Sequence, residues 1–196
     1  MTQLEYLTAL ISIIVALGLT DLAQSLRDLV RPDHRVRWHP LPLLWAAVTL
    51  LLIVQIWWGS FEALQMEVFS QAWVFLAYLL MFLVLYLACA FSLPDPDWHG
   101  GADRSDPEVL DLHAFYFSAA HRRWFFGTLL VLIVLAEAFT QTVFVPENRI
   151  RTLSLNATGV VTLGVLMGTD RAWVHWVITA LAFVTVLVST ATRQLI

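Results

Sequence analysis

The chain has 196 residues, 59% of them hydrophobic and 13% charged, with a formal net charge of −4. A soluble domain averages roughly 45–50% apolar and about 25% charged residues, so this much apolar surface exceeds what one small water-facing core can hide. All the basic residues are arginine and form no basic patch, so nucleic acid is not an expected partner, and the lone Cys89 excludes an intramolecular disulfide and a thiolate metal cluster.

A bilayer core about 30 Å thick asks for helices of roughly 20 apolar residues, and six such stretches follow in order. The first, residues 4–26, is uncharged from Tyr6 to Thr20 and runs into Asp21, Arg27, Asp28 and Arg31. The opening Met-Thr-Gln-Leu-Glu-Tyr lacks the basic start and small-residue cleavage site of a signal peptide, so this stretch is expected to remain a span. Pro40 and Pro42 mark the start of the second, residues 41–61, and the third covers residues 69–93.

The long polar stretch that follows opens with Pro-Asp-Pro-Asp and Gly100-Gly101, then offers Asp106 as N-cap and Pro107 at a first helical position. An amphipathic helix is predicted over residues 107–121, with Val109, Leu112, Tyr116, Ala119 and Ala120 on one side and Asp111, Ser118 and Arg122 on the other, as for a helix lying on a membrane surface. The fourth span, residues 124–145, stops at Pro146, the fifth covers residues 153–169, and the sixth covers residues 172–192. Asp170 and Arg171 alone separate the last two, which makes them an antiparallel hairpin. Gly164 and Gly168, with Ser154, Thr158 and Thr162 at every fourth residue, read as an internal packing surface, with an oligomer contact as the alternative. The predicted fold is an all-α membrane protein, one domain over residues 1–196, with six transmembrane helices plus one amphipathic interfacial helix between the third and fourth spans.

Alternation of six spans fixes the loops relative to one another. With both termini on the non-cytoplasmic side, Arg27, Arg31, Arg35, Arg37, Arg104, Arg122, Arg123 and Arg171 fall inside, against Arg149, Arg151 and Arg193 outside, the orientation the positive-inside rule favours. Trp38, Trp45, Trp124, Trp173 and Trp176 then form an inner aromatic belt and Trp57, Trp58 and Trp73 an outer one.

Glu137 is the most informative polar residue. It lies 13 positions after Trp124, about 20 Å along a helix, where an acidic side chain costs about 2.5–3.5 kcal/mol and must face protein or water. Gln141 shares its face, Gln55 reaches a similar depth in the second span, and Ser12, Gln71, Asn156 and Thr158 belong to the same outer half. Glu137, Gln141, Gln55, Ser12 and Asn156 are therefore the candidates for a polar path or cavity, with interhelical hydrogen bonding, Glu137 to Gln55, as the structural alternative.

All six histidines fall on the inner side, but no HxxH, HxxxH or HExxH pattern occurs. His113 and His121, eight residues apart, stand about 12 Å apart along one intact helix and cannot share a metal ion. No metal site or cofactor is predicted; His113, His121 and His175 are the candidates, and a site built on either of the first two would have to recruit His34, His39, His99 or His175 from other segments.

Three readings follow. The first is a small channel or transporter for protons or small solutes. The second is a structural or accessory subunit, whose partners are lipid, further copies of the chain or another membrane protein. The third, least supported in the absence of any catalytic motif, is a membrane enzyme or metal-binding protein using the inner-side histidines. The stretches Glu5-Tyr-Leu-Thr-Ala-Leu-Ile-Ser-Ile, Gly18-Leu-Thr-Asp-Leu, Arg35-Val-Arg-Trp, Val54-Gln-Ile-Trp-Trp, Leu93-Pro-Asp-Pro-Asp and Arg122-Arg-Trp-Phe-Phe resemble a family of small polytopic bacterial inner-membrane proteins. The likeness covers residues 1 to about 126 and implies a bacterial inner-membrane setting, but no activity and no catalytic residue.

Overall fold

In the computed structural model six helices are long and apolar enough to cross a membrane. The structure describes residues 3–31, 35–95, 98, 109–144 and 149–192. In chain order the elements are α1 (Gln3–Val30), β1 (Arg35–Arg37), α2 (Pro40–Ala63), α3 (Ala72–Ala90), β2 (Val109–Asp111), α4 (Leu112–Phe117), α5 (Ala119–Phe144), α6 (Arg149–Gly168) and α7 (Ala172–Thr192). His34, His99, Arg104, Asp106, Pro107, Pro146 and Arg193 lie outside the described residues.

Local chemistry sets several boundaries. Pro40 occupies the first turn of α2, where its missing N–H costs nothing, after an extended His39. α3 starts later than predicted because Glu67–Ser70 winds into a separate 3-10 turn and Gln71 is extended. The buried Phe69 anchors that turn, with its ring 5.0 Å from Tyr78 and 6.4 Å from Phe144.

The predicted single helix over residues 107–121 does not form. Residues 109–111 instead pair with residues 35–37 as a parallel ribbon in the register Arg35 with Val109, Val36 with Leu110 and Arg37 with Asp111. The physical reason is that two capping residues compete with one continuous helix. The Asp111 carboxylate accepts from the His113 and Ala114 backbone N–H groups at 2.8 and 3.1 Å and starts α4, while Ser118, extended, accepts from His121 N–H at 3.2 Å and starts α5. Leu112, Phe115 and Tyr116, part of the expected membrane-facing side or next to it, are buried against the protein, whereas Ala119 and Ala120 are exposed.

α1 packs chiefly on α3, α3 on α5, and α2 on α1, while α6 lies on α5 and α7 on α2. The tight α6–α7 connection exists, but its two legs splay onto different helices, so their mutual packing is slight. Their buried residues, Leu163 and Leu166 in α6 and His175 and Thr179 in α7, lie towards the turn. α3 is central, with Tyr78, Met81, Phe82 and Leu85 buried among Trp45, Phe125, Phe126 and Leu129.

Close helix approach falls at one glycine and not at two others. At Gly18 a Cβ would stand 3.0 Å from Ile53 Cδ1 and 3.4 Å from Cys89 Sγ, so this residue lets α1 approach α2 and α3. At Gly164 and Gly168 a Cβ would meet nothing within 4 Å. That stripe is not an internal packing surface. α6 instead meets α5 through Gly159, beside Ile133, and through the buried Leu163 and Leu166.

Candidate functional site

Glu137 sits on α5, 18 residues from its first residue and 7 from its last, or roughly 27 Å and 10 Å along the axis. It is therefore nearer one end than counting from Trp124 suggested. Its Oε1 accepts from Gln141 Nε2 at 2.7 Å, one turn on, and its Oε2 accepts from Asn156 Nδ2 of α6. The Gln141 carbonyl in turn accepts from Arg149 Nη2 at 3.0 Å, so a guanidinium stands about one turn beyond the carboxylate. The side chains of Glu137, Gln141 and Asn156 are half-buried.

This part of α5 is not a regular α-helix. Thr140–Phe144 is π-helical, as is Arg122–Phe126 near the other end. Thr140 and Thr142 donate their hydroxyls to the carbonyls of Ala136 and Ala138 at 2.8 and 2.6 Å, and Thr128 does the same to Trp124 at 2.6 Å. Such back-bonding draws a carbonyl towards the side chain and favours bending or re-registering of the helix. The threonine spacing was legible in the sequence; the register change was not.

The five predicted path residues do not form one group. Glu137, Gln141 and Asn156 come together. Gln55 Nε2 donates to Val186 O at 3.0 Å and to Thr190 Oγ1, which ties α2 to α7. Ser12 accepts from Trp57 Nε1 at 3.1 Å and ties α1 to α2. The proposed Glu137–Gln55 bond is thus replaced by two contacts to different helices. A cavity of about 400 Å³ opens between α2, α3 and α5, with Gln55 and Glu62 on one wall and Ala136 and Thr140 on another. Thr140 and Phe144 line it, while Glu137 is turned to α6.

The opposite end carries a second polar group that sequence reasoning missed. Trp45 Nε1 donates to Tyr116 Oη at 3.1 Å, Tyr116 Oη lies 2.9 Å from His175 Nδ1, and His175 Nε2 lies 2.9 Å from Thr169 O. A carbonyl only accepts, so Nε2 carries the proton, and Nδ1 of the neutral ring accepts from the tyrosine hydroxyl. Burial pushes the Tyr116 hydroxyl up to about 12, which keeps that donor protonated. Arg122 Nη1 donates to the same Thr169 carbonyl at 2.6 Å and pairs with Asp170. Trp45, placed in an aromatic belt by its position, is instead a buried donor in this chain. Trp38, Trp124 and Trp173 are exposed at this end, and Trp58 and Trp73 at the other.

The histidines separate. His113, exposed, faces His39 with ring centroids 4.9 Å apart, His121 stacks on Phe125 at 5.2 Å, and His175 belongs to the tyrosine chain. The break at Ser118 removes the single helix that was to hold His113 and His121. Burial, then the charge of His113, lowers the pKa of His39, against a smaller opposing pull from Asp111. Among the described residues no three His, Cys, Asp or Glu side chains gather in a way that could hold a metal ion. Comparison with protein-family models, with curated proteins and with solved structures finds no match, so side-chain chemistry alone points to function.

Proposed function

We propose that the protein is a multi-pass protein of the bacterial inner membrane, with both termini on the non-cytoplasmic side, and that it is a small channel or transporter for protons or small solutes. The observation that carries this reading is the Glu137 carboxylate. It stands inside an apolar helix, held by two uncharged amides, Gln141 and Asn156, at the seam with α6 and next to the cavity-lining Ala136 and Thr140. An ionisable side chain is costly to place there, which makes it the leading candidate for an ion or proton route, and its amide partners give it no fixed counter-ion. The eight-to-three arginine distribution supports the orientation, which makes the cavity end the outer one.

The test is proton and monovalent-cation flux in proteoliposomes over several pH values, comparing the native protein with Glu137→Gln. Flux is expected to drop at least tenfold in the variant while its melting midpoint holds. Equal flux in both would reject Glu137 as the conducting group.

A second reading has its own observation. The helices α6 and α7 bury little of their apolar surface within the chain, and the Gly164–Gly168 stripe faces outward. That suits an accessory subunit packed on another membrane protein through small residues. Absence of flux in either protein, together with a stoichiometric partner on gentle extraction, would favour it.

A further inference from the structure

The cavity between α2, α3 and α5 has a composition that neither the fold nor the Glu137 cluster requires. Gln55, Gly59, Glu62 and Met66 recur on one face of α2 and the turn beyond it, so one wall carries a buried amide, a gap without a side chain, and a carboxylate. The facing walls are aromatic and soft. Tyr78 and Phe139 meet edge to face with centroids 5.5 Å apart, Phe144 closes the same side, and Met81 adds a thioether to that of Met66.

Among the described residues Glu62 is the one charged side chain lining the cavity, and no described arginine or histidine lines it. Arg149, bonded to the Gln141 carbonyl, stands outside this lining. The carboxylate on the wall therefore favours a positively charged ligand. At about 400 Å³ the space lies within the range that encloses small organic ligands, which is far more than a bare metal ion needs. Aromatic faces beside a carboxylate are the setting in which ammonium groups are bound, and methionine side chains adapt to varied apolar bodies.

We propose that this cavity binds a monovalent organic cation with an apolar body, a substituted ammonium, with its charge at Glu62 and its apolar part against Tyr78, Phe139 and Phe144. The site deepens the transport reading by naming a substrate class, and it rests on that reading only for movement of the ligand, not for its binding.

The experiment is equilibrium dialysis of labelled benzyltrimethylammonium against the purified full chain in detergent micelles, with protein-free micelles as blank and benzenesulfonate as a competitor of opposite charge. Saturable binding is expected, insensitive to benzenesulfonate, weakened about tenfold by Glu62→Gln through the lost charge pair and unchanged by Glu137→Gln. Glu62 is exposed, so its replacement leaves the fold intact, and the melting midpoint checks this. Binding that is absent, equal in Glu62→Gln, displaced by benzenesulfonate, or lost instead in Glu137→Gln would overturn the site. Binding without flux in proteoliposomes would remove the transport reading and keep the site; proton flux without binding would do the reverse.

Discussion

Tyr116 shows what one hydroxyl can organise. It accepts from Trp45 of α2 and donates to His175 of α7, so a residue of the short helix α4 joins two long ones at a point fully removed from solvent. Tyr116→Phe would keep the ring in place and strip two buried groups of their partner. The expected loss is about 1–3 kcal/mol of stability, because a buried polar group left without a partner bears its full desolvation cost. Thermal unfolding in detergent checks this, and an unchanged midpoint would show that water or a rearranged ring replaces the hydroxyl. Glu137 differs in kind. Its oxygens are held by the amides of Gln141 and Asn156 rather than by an arginine, and its replacement is expected to act on flux and not on folding.

At the scale of elements, the short pieces between α3 and α5 carry the departures from a plain helical bundle. Asp111 ends β2, caps α4 and pairs with Arg37 of β1 at 3.0 Å, so three elements meet at one carboxylate. Burial pushes this carboxyl upward, but the backbone N–H groups of Ala114 and His113, with the Arg37 guanidinium, outweigh burial and hold it below its ordinary value of 3.8. A depressed carboxyl stabilises the fold above its unfolded value and loses that contribution as pH falls through the folded one. Asp111→Ala is therefore expected to cost about 1 kcal/mol at neutral pH, mostly as a lost cap. The difference in melting midpoint between variant and native protein should shrink as pH falls below about 4, where the unfolded carboxyl takes up a proton before the native one does. A difference that stays constant down to about pH 3 would mean that Asp111 acts only through packing.

At the scale of the whole molecule, helical alternation gathers His39, Tyr116, Arg122, Thr169 and His175 at one end and Glu62, Tyr78, Phe144 and Arg149 at the other. The proposed orientation puts the second end outside. Cys89 is buried, so single cysteines placed in a Cys89→Ala background report on sidedness. Gln65→Cys is expected to react with an impermeant thiol reagent in intact cells and Arg123→Cys only after permeabilisation; the opposite pattern would invert the topology and place the cavity mouth in the cytoplasm. The sequence by itself determined the six long helices, since each contains its own run of apolar residues and needs no neighbour to be recognised. It also singled out Glu137, because one carboxylate in such a run is conspicuous wherever the helix packs. Which polar groups meet was decided by tertiary structure alone. Asn156 rather than Gln55 reaches Glu137, and Gly18 rather than Gly164 marks a close crossing. Lipid-facing and protein-facing surfaces are equally apolar in a bilayer, so hydrophobic periodicity, which orients a helix in water, carries little information about which way these helices turn.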